Sequence, residues 1–201
     1  QYPRALGQVN DAIGYALDHA DELNVDPMRI VLAGDSAGAQ LSAQLATAVV
    51  DRKYAESIGL EPTLGAQQLR GVILNCGIYD VHAMNSSEGL IGWGVSQALW
   101  AYTGEREFRS SAAADQMSVL NHAGTEFPST WISGGNADPL TKTQSLPLAK
   151  RLGELGVGVQ AVFYPDDYEP PLGHEYQFKL ETEAARDALL SMTEFARSVT
   201  E

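Results

Sequence analysis

The sequence predicts an α/β protein, a three-layer α/β/α sandwich around a mostly parallel sheet. Three observations carry this reading. Short apolar runs rich in β-branched residues alternate with longer segments of helical periodicity, the pattern of βαβ units. The runs are nearly continuous in apolar character, as parallel strands covered on both faces should be. The 201 residues, 44% of them apolar, suffice for one sizeable core, and no internal repeat, low-complexity tract or Pro/Gly/Ser linker divides them. Residues 1–201 are therefore read as a single domain.

The elements follow in order. Gln1-Tyr2-Pro3 leads almost at once into a helical pattern, without an initiator Met or a signal-peptide apolar region, so the sequence reads as beginning mid-fold. Leu6, Val9, Ile13, Ala16, Leu17, Ala20 and Leu23 recur at helical spacing between Pro3 and Asn24, which predicts one amphipathic helix. Asp26-Pro27 predicts a turn, because a residue before proline avoids the α region. Arg29 to Gly34 predicts a buried strand, and Ser36–Val50 a helix with Leu41, Leu45, Ala48 and Val49 on one face. Gly71–Cys76 predicts a second buried strand, followed by a long polar connection. Pro128–Ser133 is the third expected strand, Lys142–Leu155 a helix ended by Gly156, and Gly158–Tyr164 the fourth strand. Glu175–Val199 is expected as the final helix.

Charge narrows the classes of partner. With 26 acidic against 13 basic residues the net charge is −13, which repels phosphate backbones and anionic membrane surfaces, so no nucleic acid is expected as a partner. No apolar run approaches the roughly 18 residues needed to span a bilayer, the cleanest being short pieces such as Ile30–Ala33 and Val72–Leu74. The one cysteine, Cys76, excludes an intramolecular disulfide and a cysteine metal cluster, and at a strand end it reads as inert packing. A cytoplasmic location is the expectation.

Chemistry concentrates at Gly34-Asp35-Ser36-Ala37-Gly38, where a strand stops and a helix starts within two residues. A nucleophilic serine needs its hydroxyl projected at the carboxyl end of a sheet, which takes a sharp, strained turn. Small residues two before and two after it avoid collisions there. The helix start also presents unpaired N–H groups, so the amide of Ala37 is placed to stabilise an oxyanion. A serine hydroxyl needs a base, and the base a carboxylate to orient it. Asp138 follows the third strand in Ser133-Gly-Gly-Asn-Ala-Asp138-Pro139-Leu140, and alone it reads equally well as a helix cap. His174 follows the fourth strand, and alone it reads as an ordinary histidine near a helix start. The order Ser, Asp, His after successive strands favours the joint reading, since the carboxyl-edge loops of one parallel sheet converge in space.

These residues carry a resemblance. Gly34-Asp-Ser-Ala-Gly38, Asp138-Pro139-Leu140 and the upstream Asp26-Pro27-x-Arg29-Ile30 look like those of the hormone-sensitive-lipase-like esterases of the α/β-hydrolase fold, over nearly the whole chain and least between about residues 79 and 127. The resemblance implies hydrolysis of short- to medium-chain carboxylic esters through an acyl-enzyme, with Ser36 as nucleophile, His174 as base then acid, and Asp138 orienting His174. It implies no cofactor, a small-molecule ester as partner, and a homodimer formed through the last strand and helix.

Two departures stand beside it. Family members carry a His-Gly-Gly-type oxyanion segment and earlier strands upstream of the first helix, and this sequence has neither, so truncation is expected. Loss of one oxyanion donor costs about 10²–10³ in rate, which predicts an impaired chain. The loop Pro165-Asp-Asp-Tyr-Glu-Pro-Pro-Leu-Gly173 is longer and more acidic than usual, and Glu175 replaces the family's glycine after the histidine. Asp166, Asp167 and Glu169 read as a solvated surface, and no metal is expected. His82, just past the second strand, is a substrate-pocket candidate, and so is Trp93. Trp93 belongs to an apolar stretch, with Leu90, Ile91, Val95, Leu99, Trp100 and Tyr102, inside a lid or pocket insert at about residues 80–127. That stretch serves either as a pocket wall or as a helix packed on the sheet. A peptidase or amidase with the same triad, and a ligand-binding homologue without turnover, remain the alternatives.

Overall fold

The computed structural model describes residues 1–84 and 90–201, without the side chains of Leu90 and Ile91. Residues 85–89 of the expected insert lie outside the described residues. Four strands, β1 (Ile30–Asp35), β2 (Leu69–Asn75), β3 (Thr130–Gly134) and β4 (Val159–Phe163), form one sheet in the order β1-β2-β3-β4. All three pairings are parallel, as the β-branched runs separated by long crossovers predict.

Successive side chains of a strand point to opposite faces, and the core divides accordingly. Val72, Leu74 and Ile132 belong to one apolar cluster and Ile73 and Trp131 to another. The first cluster is covered by α1 (Arg4–Asp18) through Leu6, α3 (Ala37–Val50) through Ala39, Ala43 and Leu45, and α7 (Leu146–Glu154) through Leu148 and Leu152. The second is covered by α8 (Glu183–Thr200), whose Ala184, Ala188 and Phe195 face the sheet while Ser191 Oγ accepts a bond from Trp131 Nε1 at 2.9 Å. Helices therefore lie on both faces. β2 and β3 are buried in the middle, whereas the end strands keep exposed positions, Ala33 on β1 and Gln160 and Ala161 on β4. The buried-strand expectation thus fits β2 and β3 better than β1.

Several boundaries differ from the sequence reading. The first helix breaks at His19, and α2 (Ala20–Leu23) ends at Asn24 in a left-handed conformation. A short α4 (Arg52–Ser57) follows α3 because the Asp51 side chain accepts from the amides of Lys53 and Tyr54. The long connection after β2 holds α5 (Leu90–Thr103) and α6 (Ala112–Met117), the latter capped by Ser111. The helix expected from Lys142 opens with a π turn at Thr141–Ser145 before α7. The final helix does not start at Glu175: a 3-10 turn at Tyr176–Phe178 intervenes, and Thr182 caps α8.

The insert makes its own apolar cluster of Val81, Met84, Leu99, Phe108, Ala114 and Met117, with Ile78 and Leu140 packed against it. Ile78 and Leu140 both follow strand ends, so this cluster sits over the carboxyl edge of the sheet. Through Val95, Leu99 and Tyr102, α5 packs into this cluster, against Phe108 of the 3-10 turn Phe108–Ser110.

Candidate active site

Ser36 alone makes the turn between β1 and α3, with φ 49° and ψ −116°. Such backbone in a residue with a side chain costs about 1–3 kcal/mol and persists only where the surroundings enforce it. Here the Ser36 amide donates to the Asn75 carbonyl at 2.8 Å, which extends the β1–β2 ladder by one residue, and Gln40 N–H donates to the Ser36 carbonyl at 3.2 Å. Asp35, the last residue of β1, is in register with Asn75. Gly34 is required sterically: a Cβ there would overlap the Gly38 backbone. Gly38 is not crowded in the same way, since its own Cβ would meet only Asp35 Oδ1 at 3.7 Å. The amide of Ala37 has no backbone partner among the described residues and lies at the positive end of α3.

The structure brings the other two candidates to this serine. His174 Nε2 lies 3.1 Å from Ser36 Oγ, and His174 Nδ1 lies 2.9 Å from Asp138 Oδ2. The Asp138 carboxylate is wholly buried, while His174 keeps 37% of its side chain exposed. The other carboxylate oxygen, Oδ1, accepts the Leu140 amide at 2.9 Å. Asp138 is thus both the helix-start cap and the partner of the imidazole.

Approach of the histidine loop depends on two residues that sequence reasoning passed over. Gly135 lies so close to the Leu172 carbonyl that any Cβ would overlap it, and the Ala137 amide donates to that same carbonyl at 2.9 Å. Asn136 clamps the loop from the side: its Oδ1 accepts the Leu172 amide at 2.8 Å and its Nδ2 donates to the Tyr168 carbonyl at 3.0 Å. The signal available in the sequence was Gly134-Gly135-Asn136 directly after a strand, residue types suited to tight backbone approach. Asp166, in the same loop, pairs with Lys142 at 2.7 Å on the surface.

Electrostatics favour the charged imidazole. The Asp138 carboxylate bonded to Nδ1 is the largest cause, the Cys76 sulfur beside the ring the next, and partial burial opposes both. The result is a His174 pKa raised from 6.5 to about 10. Cys76 Sγ, an Asp138 oxygen and a His174 nitrogen lie within 4.8 Å of one another, the one such group among the described residues with metal-ligand chemistry. Their donor atoms are already engaged, Nδ1 with the carboxylate and the sulfur with the Glu175 amide at 3.4 Å, so they form a hydrogen-bonded set.

His82 and Trp93 are not drawn into this set. Both ring nitrogens of His82 are taken up elsewhere, Nδ1 by the Arg109 carbonyl at 2.6 Å and Nε2 by Asp115 at 3.0 Å. Trp93, on α5, is 65% exposed.

Residues 1–168 match the family described as alpha/beta hydrolase fold, a span that contains Ser36 and Asp138 and stops before His174. The chain belongs to the α/β-hydrolase fold family. Among solved structures, this α/β hydrolase is similar to esterase B from Lactobacillus rhamnosis, at 18% identity and a TM-score of 0.78, over 97% of this chain and 60% of that one. It is also similar to EstE1, a thermostable carboxylesterase cloned from a metagenomic library, at 22% identity and a TM-score of 0.73, over 100% of this chain and 65% of that one. A third likeness, at 18% identity and a TM-score of 0.70, is to an acetyl ester-xyloside bifunctional hydrolase from Caldicellulosiruptor lactoaceticus, over 99% of this chain and 67% of that one. The α/β hydrolase described here thus spans about 60% of esterase B. No curated protein matches it in sequence. Among the described residues no helix is long and apolar enough to cross a membrane.

Proposed function

We propose that this α/β hydrolase cleaves carboxylic esters of short to medium acyl chain, with Ser36 as nucleophile, His174 as base and then acid, and Asp138 orienting His174. One observation supports the reading above all: His174 reaches Ser36 with one nitrogen at 3.1 Å and Asp138 with the other at 2.9 Å. In the first step Ser36 Oγ attacks the acyl carbon as its proton passes to Nε2, and the negative charge that develops on the carbonyl oxygen faces the Ala37 amide. Nε2 then returns the proton to the leaving alcohol as the C–O bond breaks, which leaves an acyl-Ser36 ester. Water gives a proton to Nε2 and attacks that ester, and the acid departs as Ser36 recovers its hydrogen. Asp138 stabilises the imidazolium formed in each half.

The ester class is supported by the esterase names of the structural neighbours, and the acyl range rests on the motif resemblance alone. Trp93, exposed on α5, and His82, in the connection after β2, are the proposed contributors to the acyl pocket. The test is hydrolysis of short-chain nitrophenyl esters by the chain and by Ser36→Ala, with labelling by an alkyl fluorophosphonate and identification of the modified residue. Activity reduced by about 10³ or more in the variant, with the label on Ser36, is expected. A folded parent that binds esters without cleaving them would overturn the reading in favour of a binding protein. Faster cleavage of a matched amide than of its ester would move it to an amidase.

A further inference from the structure

We propose that Cys76 and Gln177 are positioning residues that hold His174 from behind, a role that rests on reading His174 as the base. The chain after His174 does not run straight into α8. Glu175 takes a left-handed conformation, φ 58°, and the 3-10 turn Tyr176–Phe178 folds Tyr176 and Gln177 inward, where each is about 1% exposed.

Both polar ends of the buried Gln177 amide are committed. Its Oε1 accepts the Cys76 thiol at 3.2 Å, and its Nε2 donates to Ser133 Oγ at 3.0 Å. Ser133 Oγ also bonds Tyr176 OH at 2.8 Å. Cys76 in turn accepts the Glu175 amide, the first N–H after the histidine, at 3.4 Å. The residue following His174 is therefore tied to the end of β2, and the next two to the ends of β2 and β3.

Three features separate this arrangement from ordinary packing. A buried thiol that only fills space makes no directed bonds, whereas Cys76 donates one and accepts one. Cys76 itself sits at φ 50°, a conformation that a residue with a side chain rarely adopts, and its amide is bonded to the Ser133 carbonyl at 3.0 Å. Its sulfur also lies within 4.8 Å of the facing atoms of His174 and Asp138. Asn136 fixes the loop ahead of His174, and the Cys76–Gln177–Ser133 chain fixes it behind, so the imidazole is pinned from both sides. Displacement of a catalytic group by about 1 Å costs on the order of 10² in rate.

The experiment compares the parent chain with Gln177→Leu, Cys76→Ala and Cys76→Ser. It follows kcat and KM on a nitrophenyl ester, circular dichroism, and the low-field proton resonance of His174 Nδ1–H in the bond to Asp138. The expected result is a kcat lowered about 10- to 100-fold in Gln177→Leu with KM within two-fold, a broadened or lost resonance, and a retained fold. Cys76→Ser, which keeps a donor and an acceptor, should recover most of the kcat lost in Cys76→Ala. Unchanged kcat and resonance in folded variants would overturn the proposal, and so would a loss that only follows the folded fraction. A parent that neither cleaves the ester nor takes the fluorophosphonate on Ser36 would sink the reading of His174 as the base, while the resonance would still judge the positioning on its own.

Discussion

Asp138 shows how one residue satisfies two readings that its sequence context leaves open. Asp before Pro is the ordinary mark of a helix start, and Oδ1 does cap at Leu140, yet Oδ2 remains free to hold His174 Nδ1. Asp138→Asn can keep the cap while presenting an amide to the imidazole, which favours the wrong tautomer. The expected outcome is a kcat lower by about 10⁴ on the same ester, with the fold retained by circular dichroism. A pH dependence follows from the same pair. Only neutral imidazole accepts the Ser36 proton, and Asp138 first, then Cys76, raise the His174 pKa towards 10. The acid limb of kcat/KM should therefore have its midpoint above 6.5, displaced towards 10, and should fall back in Asp138→Asn; a midpoint at or below 6.5 in the parent contradicts it. For stability the sign is the same as for any raised histidine. The pair's contribution is full below about 6.5, the unfolded value, and is lost as pH rises through the folded one. That Ser36, Asp138 and His174 come within hydrogen-bond reach of one another was legible because each chemical type stands after its own strand. The bonds of Cys76, Asn136 and Gln177 were not, because their partners are decided only when the loops after β2, β3 and β4 come together.

At the level of elements, what decides the site is how closely the loop after β3 meets the loop after β4. Gly135 permits that meeting, and Gly135→Ala forces the Leu172 carbonyl away. The expected effect is a loss of about 1–3 kcal/mol in stability, with a larger fall in ester hydrolysis, read by urea unfolding and by initial rates. An alanine variant with parental rates would mean that the loops have slack. The four strands were legible to within about two residues from their apolar runs, since burial on both faces leaves little else for such segments to do. The errors lie where a side chain overrides periodicity. Asp51 creates a start for α4 directly after α3, and Ser111 a start for α6 inside what reads as polar connection. Tyr176 and Gln177 leave the helical pattern of the tail because their polar groups are bonded beneath His174. Capping and buried polar bonds depend on which groups meet after folding, and a periodic count cannot register them.

On the scale of the whole molecule, β4 stands last in the strand order, its Gln160 donates to Ser191 Oγ of α8 at 2.9 Å, and α8 leaves Leu189 and Leu190 exposed, Leu190 by 63%. We infer that this side joins two copies of the chain, in keeping with the resemblance noted from the sequence. Adjacent apolar side chains exposed on a helix are a ready surface for a symmetric partner. Sedimentation should show a dimer at micromolar concentration and a monomer for Leu190→Asp, with the circular dichroism spectrum unchanged. A parent that sediments as a monomer contradicts it. The layer arrangement was legible in the sequence, because alternating strands and helices allow few topologies. Which strands end the sheet was not, because an apolar run looks alike in the middle and at the rim.

The two bonds at His174 span very different stretches of chain, 36 residues to Asp138 and 138 residues to Ser36. Contacts so distant along the chain form late in folding, after the loop-closure entropy of the intervening segments has been overcome. Regain of ester cleavage after dilution from denaturant is thus a clock for completion of the entire sheet. Trp131, buried in the second cluster against α8, reports the docking of that helix.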